Sequence, residues 1–324
     1  MAKLNIFSSL LVNSKNEPGW GGYNWQFLAQ GDSWFSTSTI QGRRSNLLEN
    51  LDFPQAAAVV NCATPGDELT HMVDVRRDPL FNSLLCGPKQ QPWNAIFLSG
   101  GGNDLIDFVK IAPTDEHGSF VVPHDRALLT SSEWGGGSAD ADSRYISKDG
   151  WANFENHMAL QYRAIDALRK QSRDNQNTPI FTHTYDYATA RNSGAGPGIG
   201  PWLYPSLRSY GIPPEDWDEL VDTFMDKLFS IIKGAEQLLT NFHVIDTRGA
   251  LDRAKDGDTG ISGDWQNEIH ATANGYVKIG LRFAPRVSEV LSIQPLGDGA
   301  GAIPQAVVAA QKPGGGAGAT GARP

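Results

Sequence analysis

Gly31-Asp32-Ser33-Trp34-Phe35 is the stretch of this chain best suited to chemistry. Its serine follows a short apolar run, Trp25–Gln30, and the glycine before it permits a tight turn. A serine set just past a buried strand holds its hydroxyl toward a cleft, which is how a nucleophile is presented. The same triplet also suits an ordinary turn, so its meaning depends on what else reaches the same place. Three further motifs compete for that role: Asn61-Cys62-Ala63-Thr64-Pro65-Gly66, Ser99-Gly100-Gly101-Gly102-Asn103-Asp104, and Asp264-Trp265-Gln266-Asn267-Glu268-Ile269-His270.

The elements that must position these motifs are legible as apolar runs of strand length. Besides Trp25–Gln30, they are Ala56–Asn61, Asn94–Ser99, Thr178–His183 and Phe242–Asp246. None alternates polar with apolar residues, which suits strands of a parallel sheet buried on both faces. Helical periodicity lies between them. Trp217, Leu220, Val221, Phe224, Leu228, Ile231, Ile232, Ala235 and Leu238 share one face, and Pro213-Pro214 and Glu215-Asp216 give start signals. A second helix is expected from Trp151 to Arg169, and a last one from Ala273 to Leu291, where Pro285 is expected to kink or split it. This alternation predicts an α/β fold, a doubly wound sheet of about five parallel strands flanked by helices. Functional groups of such a sheet gather at the carboxyl ends of its strands, where the Ser33, Gly66 and Asn103 motifs fall. The His270 motif precedes the last helix at the same edge.

Residues 1–24 read as an N-terminal extension and 25–292 as the domain, with insertions near 113–150 and 187–214. The second insertion carries Trp202, Tyr204 and Tyr210, and inserted loops at strand ends commonly shape a cleft. Residues 293–324 are rich in Gly, Ala and Pro and read as a disordered tail.

The 324 residues carry a net charge of −9, so nucleic acid and anionic membrane surfaces are not default partners. No segment approaches the length of a membrane span, and the N-terminus lacks a convincing secretion signal. The default expectation is a cytoplasmic protein, with export by another route left open. Cys62 and Cys86 allow one disulfide or two thiols. Neither they nor the histidines have metal-ligand spacing, so no metal or organic cofactor is expected. Asp256-Gly257-Asp258-Thr259-Gly260 begins like a calcium loop but puts Gly260, Ile261 and Asn267 where ligands and the turn glycine belong. Gly194–Gly200 lacks the lysine and the strand–helix setting of a phosphate loop.

The four blocks, in the order Ser, Gly, Asn, His, resemble the SGNH (GDSL-type) hydrolase superfamily over Phe27 to Tyr276. That resemblance implies a flavodoxin-like sheet and a serine hydrolase acting on carboxylic esters through an acyl-enzyme on Ser33. His270 would be the general base and acid, while Ser33, Gly66 and Asn103 would donate to the oxyanion. Trp34 is a candidate substrate contact, and the substrate would be a small-molecule, glycan or lipid ester. One position departs from the family pattern. Asn267 stands where an Asp is expected, three residues before the histidine. An amide oxygen can orient the imidazole but brings no charge, and a wrong tautomer can cost on the order of 10⁴ in rate. Asp264 is the alternative carboxylate, and Glu268 is too near His270 in sequence for an easy reach. A Ser–His dyad, a weakened domain that only binds an ester or glycan, and an acyltransferase are the competing readings.

Overall fold

The computed structural model describes residues 1–12, 19–36, 45–134 and 141–293. Its strands, in chain order, are β1 (Ala2–Lys3), β2 (Asn5–Ser8), β3 (Trp25–Gly31), β4 (Asp52–Phe53), β5 (Ala57–Asn61), β6 (Ala95–Ser99), β7 (Ile180–His183) and β8 (Phe242–Ile245). The helices are α1 (Ser9–Val12), α2 (Ser33–Ser36), α3 (Leu69–Val73), α4 (Pro79–Leu85), α5 (Gly102–Lys110), α6 (Ala141–Tyr145), α7 (Lys148–Gln171), α8 (Tyr204–Ser209), α9 (Trp217–Leu238) and α10 (Ala273–Ile293).

Six strands form one parallel sheet in the order β2-β5-β3-β6-β7-β8, and β1 pairs with β4 in a small antiparallel ribbon. The five expected strands are its interior and one edge. The sixth, β2, lies in the stretch read from sequence as an extension. Its residues are mostly exposed, so it lacks the buried apolar run that made the others legible. Strands β3, β6 and β7 are buried almost throughout, as a sheet covered on both faces requires. On one face, Phe27, Phe53 and Phe97 cluster, and Phe283 of α10 meets Phe97 edge-on with ring centroids 5.3 Å apart. On the other, α7 packs against α9, and the Tyr162 hydroxyl of α7 donates to the Gly100 carbonyl just past β6 (3.0 Å).

Pro285 neither splits nor ends α10, which runs on to Ile293. The proline stands on the exposed side of the helix, where water can take up the carbonyl it leaves without a donor. The tail from residue 294, and residues 135–140 of the first insertion, lie outside the described residues. Both cysteines are free, and no described helix is long and apolar enough to cross a membrane.

The winding places the site. From β3 the chain crosses to β5 on one side and then to β6 on the other, so β3 is where the strand order reverses. Open α/β sheets bind ligands at such a switch point, beyond the carboxyl ends of the strands. Ser33, Gly66 and Asn103 follow β3, β5 and β6, the three strands that meet there. At the top of the pair, Gly31 sits opposite Ser99, and a Cβ on Gly31 would lie 2.7 Å from the Ser99 Cβ and carbonyl oxygen. Only glycine lets β3 and β6 approach at that level. Gly31→Ala is therefore expected to cost about 2 kcal/mol or more of stability, read as a lower urea midpoint with an unchanged slope.

Candidate active site

Ser33 opens α2 directly after β3. The His270 Nε2 lies 2.7 Å from its Oγ, across 237 residues of chain. Both side chains are buried. On the other side of the ring, His270 Nδ1 lies 3.0 Å from the Asn267 Oδ1. That oxygen also accepts the backbone N–H groups of Ile269 (3.1 Å) and His270 (2.9 Å). These two donors decide which way the amide faces, because an NH₂ group there would meet N–H against N–H. With the oxygen toward the ring, Nδ1 carries the proton and Nε2 keeps a lone pair for the Ser33 hydroxyl. The tautomer required for general-base work is thus set by an uncharged side chain. Asp264 is engaged elsewhere. Its carboxylate accepts from the Asp252 N–H (2.7 Å), Asn274 (2.9 Å) and Lys278 (2.5 Å), which together hold it below the usual carboxylate range against its burial. It braces the start of α10.

The loop bearing His270 is held from outside. The buried Arg191 donates to the Asn267 carbonyl (2.7 Å). Glu268, fully buried, accepts four backbone N–H groups: Arg191 (3.2 Å), Leu203 (3.0 Å), Tyr204 (2.8 Å) and Trp202. Burial raises its pKa above the usual range, and those donors oppose the shift. Glu268 thereby pins the second insertion beside the histidine, and the Trp202 ring stands edge-on to the His270 ring at 5.3 Å. From sequence, Glu268 was weighed only as a partner for His270. Its real partners lie 64 to 77 residues away, a separation no local pattern reports.

Asn103 lies in the first turn of α5, whose N-cap is Gly101 at φ +108°. Its amide donates to the Asp67 carbonyl (3.0 Å), tying the third block to the second. Gly66 is exposed at φ +85° in a turn closed by the Asp67 N–H on the Thr64 carbonyl (3.2 Å). Trp34, expected at the substrate, also has structural partners. It is buried, stacks on His183 at 5.2 Å, and donates through Nε1 to the Ile269 carbonyl (3.2 Å). It also borders the small cavity beside Ser33, whose wall includes Ser33, Asn103, Leu105 and Ile269.

Beneath Ser33 runs a buried chain of polar groups that the sequence did not announce. The Asp32 carboxylate bonds to the Ser99 hydroxyl (2.7 Å), the Tyr185 hydroxyl and the Trp34 N–H (2.9 Å). The Ser99 Oγ lies 2.9 Å from His183 Nε2, whose Nδ1 faces the Thr184 carbonyl at 2.9 Å. A carbonyl only accepts, so Nδ1 carries a proton. The single Ser99 proton cannot serve both His183 and Asp32. The chain is complete only with one more proton, on Asp32 or on Nε2. Burial pushes Asp32 up to about 6 and His183 down to about 4. Below about pH 6 both shifts favour the neutral arrangement, in which Asp32 donates to Ser99 and Ser99 donates to His183; above it Asp32 is the carboxylate that accepts from Ser99.

No family model and no curated protein matches the chain. Solved structures do. One is an extracellular lipase from Streptomyces rimosus, at 14% identity over 82% of this chain and 99% of that one, with a TM-score of 0.38. Another is a family 3 carbohydrate esterase from Clostridium thermocellum, at 12% identity over 83% and 97%, with a TM-score of 0.40. A third is phospholipase A1 from Streptomyces albidoflavus, at 14% over 82% and 98%, with a TM-score of 0.39.

The buried carboxyl gives a pH test. Its folded pKa of about 6 stands above the ordinary 3.8, so the stability it contributes is full below about pH 4 and lost as pH rises through 6. Between pH 4 and pH 7, the wild type is expected to lose roughly 2 kcal/mol more than Asp32→Asn, measured by urea unfolding at each pH.

Proposed function

We propose that this protein is a serine hydrolase cleaving carboxylic esters, with Ser33 as nucleophile and His270 as general base and acid. One observation carries the reading: Ser33 Oγ, His270 Nε2 and Nδ1, and Asn267 Oδ1 form a continuous line with steps of 2.7 and 3.0 Å. In the first half-reaction the Ser33 oxygen bonds to the ester carbonyl carbon as its proton passes to His270 Nε2. Collapse of the tetrahedral adduct breaks the bond to the leaving oxygen, which takes that proton. Water then repeats the sequence on the acyl-enzyme and releases the acid. The Asn103 amide, the Ser33 N–H and the Gly66 N–H are the donors assigned to the developing oxyanion, each worth about 10²–10³ in rate where its geometry is met.

The substrate reading is a small-molecule, glycan or lipid ester, with no cofactor. Asn267 favours one rival, a slowed domain that holds an ester or glycan without turning it over. The amide fixes the tautomer but supplies no negative charge for the imidazolium. Two measurements separate the readings. A fluorophosphonate is expected to add to wild-type protein at Ser33, seen by intact mass, and not to Ser33→Ala. An unlabelled, folded wild type would end the hydrolase reading. Second, Asn267→Asp keeps the oxygen that accepts all three N–H groups and adds the missing charge. It is expected to raise kcat roughly tenfold and to move the acidic limb of the kcat/KM profile to higher pH, because a carboxylate favours the charged imidazole.

A further inference from the structure

Resting on the reading of Ser33 as nucleophile, we propose that the acyl group it accepts is acetyl-sized. The cavity beside Ser33 has a volume of about 30 Å³. An apolar cavity of about 150 Å³ takes one benzene, so a space about a fifth of that size suits a methyl rather than a chain. Its wall is mainly apolar, though Asp32, Tyr185 and Asp186 also border it: Leu105 and Ile106 come from α5, Leu203 from the start of α8, and Met225 and Leu228 from α9. Leu105, Leu203 and Leu228 are fully buried in the core, so the wall cannot swing aside without repacking it.

The position identifies which part of an ester belongs there. A carbonyl carbon attacked by Ser33 carries four groups: the serine oxygen, the oxyanion, the leaving oxygen and the acyl substituent. The leaving oxygen must face His270 Nε2 to receive its proton, on the side where Trp202 stands. The oxyanion is assigned to Asn103. The cavity touches Ser33 and Asn103, while neither His270 nor Trp202 contributes to its wall. It is left for the acyl substituent. A methyl fills it, and a propyl must displace a buried side chain or stay outside.

The test is a series of p-nitrophenyl esters from acetate to octanoate given to the full chain, with the Met225→Ala variant beside it. Met225 is the flexible part of the wall, so its truncation lengthens the space with least strain. The wild type is expected to lose at least about tenfold in kcat/KM from acetate to butanoate, and the variant to recover most of that loss for butanoate alone. If Met225→Ala does not fold, Leu203→Ala takes its place, judged by the same ratio of butanoate to acetate. A flat or rising profile in the wild type overturns the inference and leaves the hydrolase reading standing. Turnover of no ester by folded protein that also resists the fluorophosphonate overturns both.

Discussion

One buried carboxylate, that of Asp32, gathers the chain segments on which the site depends. It sits at the end of β3, and its partners are the N–H of Trp34 in α2, the Ser99 hydroxyl at the end of β6 and the Tyr185 hydroxyl after β7. Each of these bonds holds a different strand end at the height of Ser33. A carboxyl removed from water is costly unless its oxygens are satisfied, and here three hydrogen-bond partners meet it. The close approach of β3 and β6 allowed by Gly31 brings Ser99 within reach. The Ser99–His183 contact then extends the network under Ser33, with Trp34 stacked on the His183 ring.

The histidine side of the site is built by a different logic. Its loop has little regular structure, so its shape comes from buried side chains that bind backbone. Arg191 takes the Asn267 carbonyl, and Glu268 takes three successive N–H groups of residues 202–204 together with that of Arg191. Asn267 closes the loop on itself by accepting from Ile269 and His270. The departure from an acidic residue at 267 therefore removes charge without removing order. What an aspartate would do by attraction, the amide does by geometry. The remaining difference is electrostatic, and it falls on a charged imidazolium rather than on the neutral ring.

Much of this was legible in the sequence. Five strands announced themselves as unbroken apolar runs, α7 and α9 as helical stripes, and the four blocks by order and by place after successive strands. What was hidden shares one cause. The strand β2 is short and exposed, so its pairing with β5 leaves no periodic trace. Trp34 reads from sequence only as a candidate substrate contact, while its indole is enclosed by His183, Tyr185, Trp265 and Tyr276 from distant segments. Asp264 looked as able as Asn267 to meet the histidine by spacing alone, and a lysine one turn into α10 claims it instead.

The sequence by itself determined the sheet, the edge at which the functional groups meet, and the residue types available there, because these follow from local periodicity and from chain order. Tertiary structure alone decided the partner of His270, the facing of the Asn267 amide, the proton shared by Asp32 and His183 through Ser99, and the size of the space beside Ser33. Each of these depends on distances of a few ångströms between residues that are mostly far apart in the chain, and no spacing along the sequence encodes them.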